Sequence, residues 1–92
     1  MHKFIIEKRL EKILIKLEKK DKITYEQIKK KINEVINTDV EHYKNLMHDL
    51  KEFKRVHIGN FVLVFKFDKK NDFIVFYDYD HHDVIYKKKF TS

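Results

Sequence analysis

Gly59-Asn60-Phe61-Val62-Leu63-Val64-Phe65-Lys66-Phe67 is the stretch on which the fold turns. From Phe61 on it is dense in β-branched and aromatic residues and has the length of a strand. Gly59-Asn60 turns the chain into it, because both residues tolerate positive φ. Alternation along a strand puts Phe61, Leu63, Phe65 and Phe67 on one face and Val62, Val64 and Lys66 on the other. The first face is expected to take helices. The second is also apolar and needs its own cover, for which packed loops of the same chain are the ordinary answer and a partner chain the alternative. Downstream, Asp68-Lys69-Lys70-Asn71-Asp72 is a polar turn, and Phe73 to Tyr79 is a second aromatic-rich strand. Val84 to Tyr86 reads as a last short strand. Short turns between successive strands make the sheet mostly antiparallel.

Upstream of this region the period changes from two to 3.6. Phe4 to Ile6 reads as a short opening strand. Leu10, Ile13, Leu14 and Leu17 then fall at i, i+3, i+4 and i+7, one stripe of a helix, with Ile15 off the stripe. Lys19-Lys20-Asp21-Lys22 breaks the pattern as a turn. Thr24 starts a second helix, with Gln27 three residues on as a capping box. Tyr25, Ile28, Ile32, Val35 and Ile36 continue it, and Asn37 suits the left-handed conformation that ends helices. Residues 38–53 read either as a helix carrying Tyr43, Leu46, Met47 and Leu50 or as a loop crossing the domain. The class is therefore α+β: an opening strand, a helical hairpin, and a twisted sheet of three to four strands. Residues 1–92 fit one domain, with no Pro, a single Gly and no linker-like stretch.

Nineteen Lys and two Arg against fifteen acids give a formal charge of +6. That balance favours nucleic acid or acidic protein partners. It is also the ordinary Lys-rich surface of a thermophile protein. The absence of Cys excludes disulfides, iron–sulfur clusters and zinc–thiolate sites. No apolar run approaches the ~20 residues that span a bilayer, so a cytoplasmic location is expected.

The chemistry-bearing residues gather in the last third. Lys54, Arg55 and His57 open the strand region, and His81, His82 and Tyr86 close it, followed by Lys87-Lys88-Lys89. Should the two groups converge, they hold what a phosphodiester needs for cleavage by its own 2′-hydroxyl. A base takes the hydroxyl proton, cations stabilise the pentavalent phosphate, and an acid protonates the leaving oxygen. Histidine serves as base or acid near neutral pH, and Arg grips phosphate in a fork. Against this, adjacent histidines on a strand point to opposite faces, and a lysine run is most often a charged tail. Tyr43, Tyr77 and Tyr79 could stack on bases, although aromatics at strand spacing are more often core. Asp78 and Asp80 at i, i+2 could hold a divalent ion, but a solvated or salt-bridged pair is the simpler reading. No Gly-rich phosphate loop, Walker sequence or nucleophile elbow is present. No metal or cofactor is expected.

Several segments together resemble the RelE branch of the RelE/ParE superfamily, in its archaeal members. They are Ile6-Glu7-Lys8-Arg9-Leu10, His42-Tyr43-Lys44-Asn45-Leu46, Lys54-Arg55-Val56-His57-Ile58, Asn60 to Phe67, and Tyr79-Asp80-His81-His82-Asp83-Val84-Ile85-Tyr86. The resemblance implies a toxin of a type II toxin–antitoxin system. Such a toxin cleaves messenger RNA in the ribosomal A site, without metal, through the RNA's own 2′-hydroxyl. A RelB-like antitoxin neutralises it, and the pair contacts operator DNA through the antitoxin. By the same resemblance Arg55, His57, His82 and Tyr86 carry catalysis, while Lys51, Lys54, His81, Lys87 and Lys88 contact RNA. The family often places a basic residue in the next strand; the matching position here is Val62. That departure keeps a second reading in view, a non-cleaving member or a ParE-like gyrase inhibitor. A third is a generic basic nucleic-acid binder.

Overall fold

The computed structural model describes residues 1–88, apart from the side chain of His48. Four strands form one sheet in the order β1-β4-β3-β2, where β1 is Lys3–Ile6, β2 Lys54–Ile58, β3 Phe61–Asp68 and β4 Phe73–His81. β2, β3 and β4 are successive antiparallel neighbours. β1 lies parallel to β4, with Lys3 opposite Phe73 and Ile6 opposite Phe76. A parallel neighbour requires a crossover connection, and the helical hairpin supplies it.

The hairpin is α1, Lys8–Lys20, and α2, Lys22–Ile36. Only Asp21 separates them, and it rather than Thr24 is the N-cap of α2. Its carboxylate accepts from the Thr24 amide at 3.2 Å and from the Thr24 hydroxyl at 2.6 Å. A one-residue link leaves Asp21 alone at the non-helical position, so Thr24 falls inside the first turn and the expected box with Gln27 does not form. At the other end Asn37 has φ −108°, not the left-handed conformation. Its side-chain amide instead donates to the Asn33 carbonyl at 2.8 Å, which satisfies an otherwise free helix-end acceptor.

Leu10 of α1 and Ile28, Ile32, Val35 and Ile36 of α2 pack with Leu63, Phe65, Ile74 and Phe76 of the sheet. Ile13, Leu14 and Leu17 complete the stripe, and Ile15 stays exposed as its position predicts. The opposite face of the sheet is covered by the chain itself. Leu46, Leu50 and Phe53 of the crossing segment, with Ile85, bury Val62 and Val64. Residues 38–53 are a crossing loop with two single-turn 3-10 helices, Val40–His42 and His48–Leu50.

Two tight turns set the strand register. Gly59, at φ 63°, and Asn60 join β2 to β3, with Ile58 opposite Phe61. Between β3 and β4 the Asp68 carboxylate accepts from the Asn71 amide at 3.2 Å and from its side chain at 2.7 Å.

The expected strand Val84 to Tyr86 is absent. A single helical turn, α3, His82–Ile85, stands in its place. β3 begins at Phe61 opposite His81, so among the described residues the sheet offers no strand beyond that point for residues 84–86 to join. A helical turn satisfies the backbone locally and buries Ile85 on Val62 and Val64.

Candidate functional site

The register puts the chemistry on the outer face. Arg55 lies opposite Val64 and His57 opposite Val62. Val64 and Val62 lie in turn opposite Asp78 and Asp80. Two rows thus cross the sheet, Arg55-Val64-Asp78 and His57-Val62-Asp80. Over them α3 brings down the closing residues.

The two expected groups converge, but through α3 and not by strand pairing. The His57 and His82 rings stack with centroids 5.9 Å apart and planes 23° apart. Tyr86 meets His82 edge-on at 5.4 Å. Arg55 Nη1 lies 3.2 Å from His57 Nε2. A guanidinium only donates, so Nε2 accepts and His57 is neutral in this arrangement. Partial desolvation lowers the His57 pKa, and the nearby charges of Arg55, His82 and Lys44 lower it further. The ring nevertheless remains exposed to solvent. Arg55 Nε is buried with no hydrogen-bond partner among the described residues. The Tyr86 hydroxyl accepts from the Met47 amide at 3.2 Å and so ties α3 to the crossing segment. Arg55, His57, His82 and Tyr86 therefore form one connected group.

The residues expected to touch RNA divide. Lys51 and Lys87 are exposed. Lys54 is committed inside the chain: its ammonium donates to the Tyr43 carbonyl at 3.1 Å and to Asn45 Oδ1 at 3.0 Å. Strand alternation separates it from Arg55, since Lys54 pairs with Phe65 on the helix-covered face. His81 caps α3, accepting from the Asp83 amide at 3.3 Å, and meets Phe61 edge-on at 5.7 Å. So His82 joins the outer-face group and His81 does not. Lys88 is held 2.7 Å from both Asp78 and Asp80. An ammonium occupies the place between these carboxylates where a divalent ion was conceivable. Lys89 lies outside the described residues.

Val62 is fully buried beneath Ile85 and neighbouring apolar side chains. Tyr43, Tyr77 and Tyr79 serve packing, against Phe65, Phe53 and Phe61. Sequence reasoning missed Lys44, whose charge bears on His57, and Arg9, 3.6 Å from Asp78. The Arg9 contact had a signal, since an i, i+2 carboxylate pair on a strongly apolar strand requires cations from somewhere.

Beside His57 a hollow of about 420 Å³ runs between α2 and the end of β2, lined by Gln27, Lys30, Lys31, Glu34, Ile58 and Gly59. It places two more lysines along one edge of the site. A larger apolar hollow of about 560 Å³ lies between the helices and β1, with Ile6, Leu14 and Ile36 in its wall. None of the four grouped residues lines it. No helix among the described residues is long and apolar enough to cross a membrane.

No family model matches the chain. Over 90 residues it is 52% identical to a Methanocaldococcus jannaschii protein named "Putative toxin RelE4", spanning 97% of this chain and 95% of that one. It is 44% identical over 72 residues to an uncharacterized protein of Methanosarcina mazei, spanning 77% and 83%. Among solved structures, the toxin–antitoxin complex RelBE2 of Mycobacterium tuberculosis contains a chain that superposes with TM-score 0.72 at 15% identity, over 88% of this chain and 91% of that one. The isolated RelE toxin of E. coli superposes with TM-score 0.61 at 16% identity, over 95% and 94%. At these identities the structural likeness is one of fold.

Proposed function

The chain belongs to the RelE toxin family, and from that premise we propose that it is a ribosome-dependent endoribonuclease. Its substrate is messenger RNA in the ribosomal A site, and a RelB-like antitoxin restrains it. The observation that carries this reading is the connected group Arg55, His57, His82 and Tyr86 on one sheet face. Support for a partner comes from the fold shared with a chain of a toxin–antitoxin complex.

The geometry suggests roles. Arg55 meets the scissile phosphate through its guanidinium, whose Nε has no partner among the described residues. When Arg55 turns to the phosphate it releases Nε2 of His57. A neutral imidazole is then free to take the proton of the 2′-hydroxyl. The 2′-oxygen bonds to phosphorus, the bond to the 5′-oxygen breaks, and that oxygen takes a proton from His82. The products are a cyclic phosphate end and a 5′-hydroxyl end. Tyr86 holds the His82 ring from its edge and offers a face for a base to stack on. Lys51 and Lys87, both exposed, with Lys30 and Lys31 beside the hollow, supply charge for the RNA backbone.

Induced expression is expected to arrest translation, and mapped ends of ribosome-bound messages are expected to fall at A-site codons. Arg55→Ala is expected to weaken both strongly. Intact messages under wild-type expression would sink the reading. A second reading rests on Val62, buried where relatives often carry a basic side chain: a member that binds its partner without cutting, or one that acts on gyrase. DNA damage without message cuts would favour it.

A further inference from the structure

We infer that Asp78 is a positioning residue, and that Lys88 is the strut through which it sets His82 and Tyr86 against His57 and Arg55. This rests on the site as read above.

Asp78 is a charged side chain with no solvent exposure. Its Oδ2 lies 2.7 Å from Lys88 Nζ and 3.6 Å from Arg9 Nη1. Its Oδ1 accepts from the Tyr79 amide at 2.8 Å. Asp80 takes the same ammonium at 2.7 Å, and its other oxygen accepts from the His81 amide at 2.7 Å. Lys88 itself is largely covered, its side chain 24% exposed.

These bonds close a loop in the chain. Residues 78–81 belong to β4, the chain leaves the sheet at His82, and Lys88 returns it to the strand it left. His82, Ile85 and Tyr86 all lie inside that loop. Its near end is fixed by the His82 amide donating to the Asn60 carbonyl at 3.3 Å. Its far end is fixed by Lys88. His82 and Tyr86 stand four residues apart, so one helical turn presents both on the same side. Where Lys88 is anchored therefore decides where both rings point.

An apolar anchor would be easier to bury. Taking a carboxylate and an ammonium out of water is costly until their attraction offsets it. Apolar packing, however, tolerates sliding. Two 2.7 Å charged bonds to one nitrogen permit a single register. Asp78 also sits in the same row as Arg55, two strands away, so the clamp and the catalytic arginine share one rigid sheet.

The test compares the full-length wild type, the shape-preserving double variant Asp78→Asn/Lys88→Met, and Lys88→Arg. Proton NMR reads the His57–His82 ring contact and the His57 titration. Single-turnover cutting on programmed ribosomes reads the rate, and ribosome binding is measured separately. The double variant is expected to fold with an unchanged far-UV spectrum and to lose the ring contact. Its His57 titration moves up toward the ordinary value as His82 withdraws. Its rate falls on the order of 100-fold, the usual cost of a small misplacement of reacting groups, with binding nearly unchanged. Lys88→Arg keeps the charge and restores both the contact and most of the rate. A folded double variant with the ring contact and the His57 titration intact overturns the inference. If the wild type cuts no message, the ribonuclease reading falls, and the ring contact and titration still decide the clamp.

Discussion

On the helix-covered face of the sheet, Leu63, Phe65, Ile74 and Phe76 are fully buried, and among the described residues no charged side chain is fully buried with them. On the opposite face Val62, Val64 and Ile85 are equally buried, yet Asp78 lies in the same layer with Lys88 upon it. The same strands build both. The helix side is continuous and apolar, so its energy comes from removing hydrocarbon from water. The outer side is thinner, covered by a loop and one helical turn, and it mixes apolar contacts with directed charged bonds. On the function proposed above, a face that holds four chemical groups in place needs direction as well as burial.

The comparison breaks most severely from the inner side. Phe76→Ala is expected to cost about 3–5 kcal/mol, much of the total for a small domain. Urea unfolding checks this, and a loss under about 1 kcal/mol would show that the inner face is not the main source of stability. On the outer side, Lys88→Met leaves the buried Asp78 with the more distant Arg9 as its one cation among the described residues and should cost about 3 kcal/mol. Replacing both partners, as in Asp78→Asn/Lys88→Met, should cost about 1 kcal/mol or less, because no charge is left at the fully buried position 78 and Asp80 still reaches water. A double-mutant cycle in urea decides whether that asymmetry exists.

Arg55→Ala separates stability from chemistry on the outer face. Cleavage is expected to fall about 100-fold, equivalent to about 2.7 kcal/mol of barrier, while the urea midpoint shifts little. A midpoint loss as large as that of Phe76→Ala would make Arg55 structural. Val62→Lys, which would supply the basic residue that the family resemblance implies at this position, is expected to destabilise and not to activate, because the side chain enters a sealed layer.

The smallest predicted effect sharpens the comparison through pH. His2 pins the start of β1, donating to Asp72 and to the Thr38 carbonyl, and these bonds raise its pKa against a smaller opposing effect of burial. Its contribution is complete below the unfolded value of 6.5 and is lost as pH rises through the higher folded value. His57 has the opposite sign. Its folded pKa lies below 6.5, so the unfolded chain binds more protons just under that pH, and stability falls as pH drops from 6.5 through the lowered value. A shallow stability maximum near pH 6.5 follows. His2→Asn should flatten its alkaline limb and His57→Gln its acid limb. Thermal midpoints measured across pH 5 to 8 would refute the pairing if either substitution flattened the other limb.

The fold was legible where one period governed many residues. The strand Phe61–Asp68, the α1 stripe and the split of Val62 and Val64 from Leu63 and Phe65 all follow from alternation or 3.6-residue spacing. What escaped was set by neighbours distant in sequence. Val84-Ile85-Tyr86 has a local preference for strand, but among the described residues no strand is left for it to pair with. Lys88 reads as part of a charged tail until the buried Asp78 is found ten residues back in the chain and directly beneath it. Lys54 and Arg55 look interchangeable as adjacent cations, and the pleat sends them to different faces. The membership of Arg55, His57, His82 and Tyr86 in one group followed from the resemblance. Their convergence through α3 did not.

The partnership of β1 with β4 has a consequence for timing. The first strand of the chain finds its hydrogen-bonding neighbour only after Phe73 to Phe76 have been made. Three of the four grouped residues are fixed by, or stack on, the turn that follows β4. Contacts this far apart in sequence close late in folding. During synthesis the helical hairpin can form early, but the outer-face group has nothing to assemble on until residues 82–88 have left the ribosome. A truncated product would carry the helices and part of the sheet without the site. The order of the strands thus makes synthesis through α3 and Lys88 a precondition for the outer-face group to form.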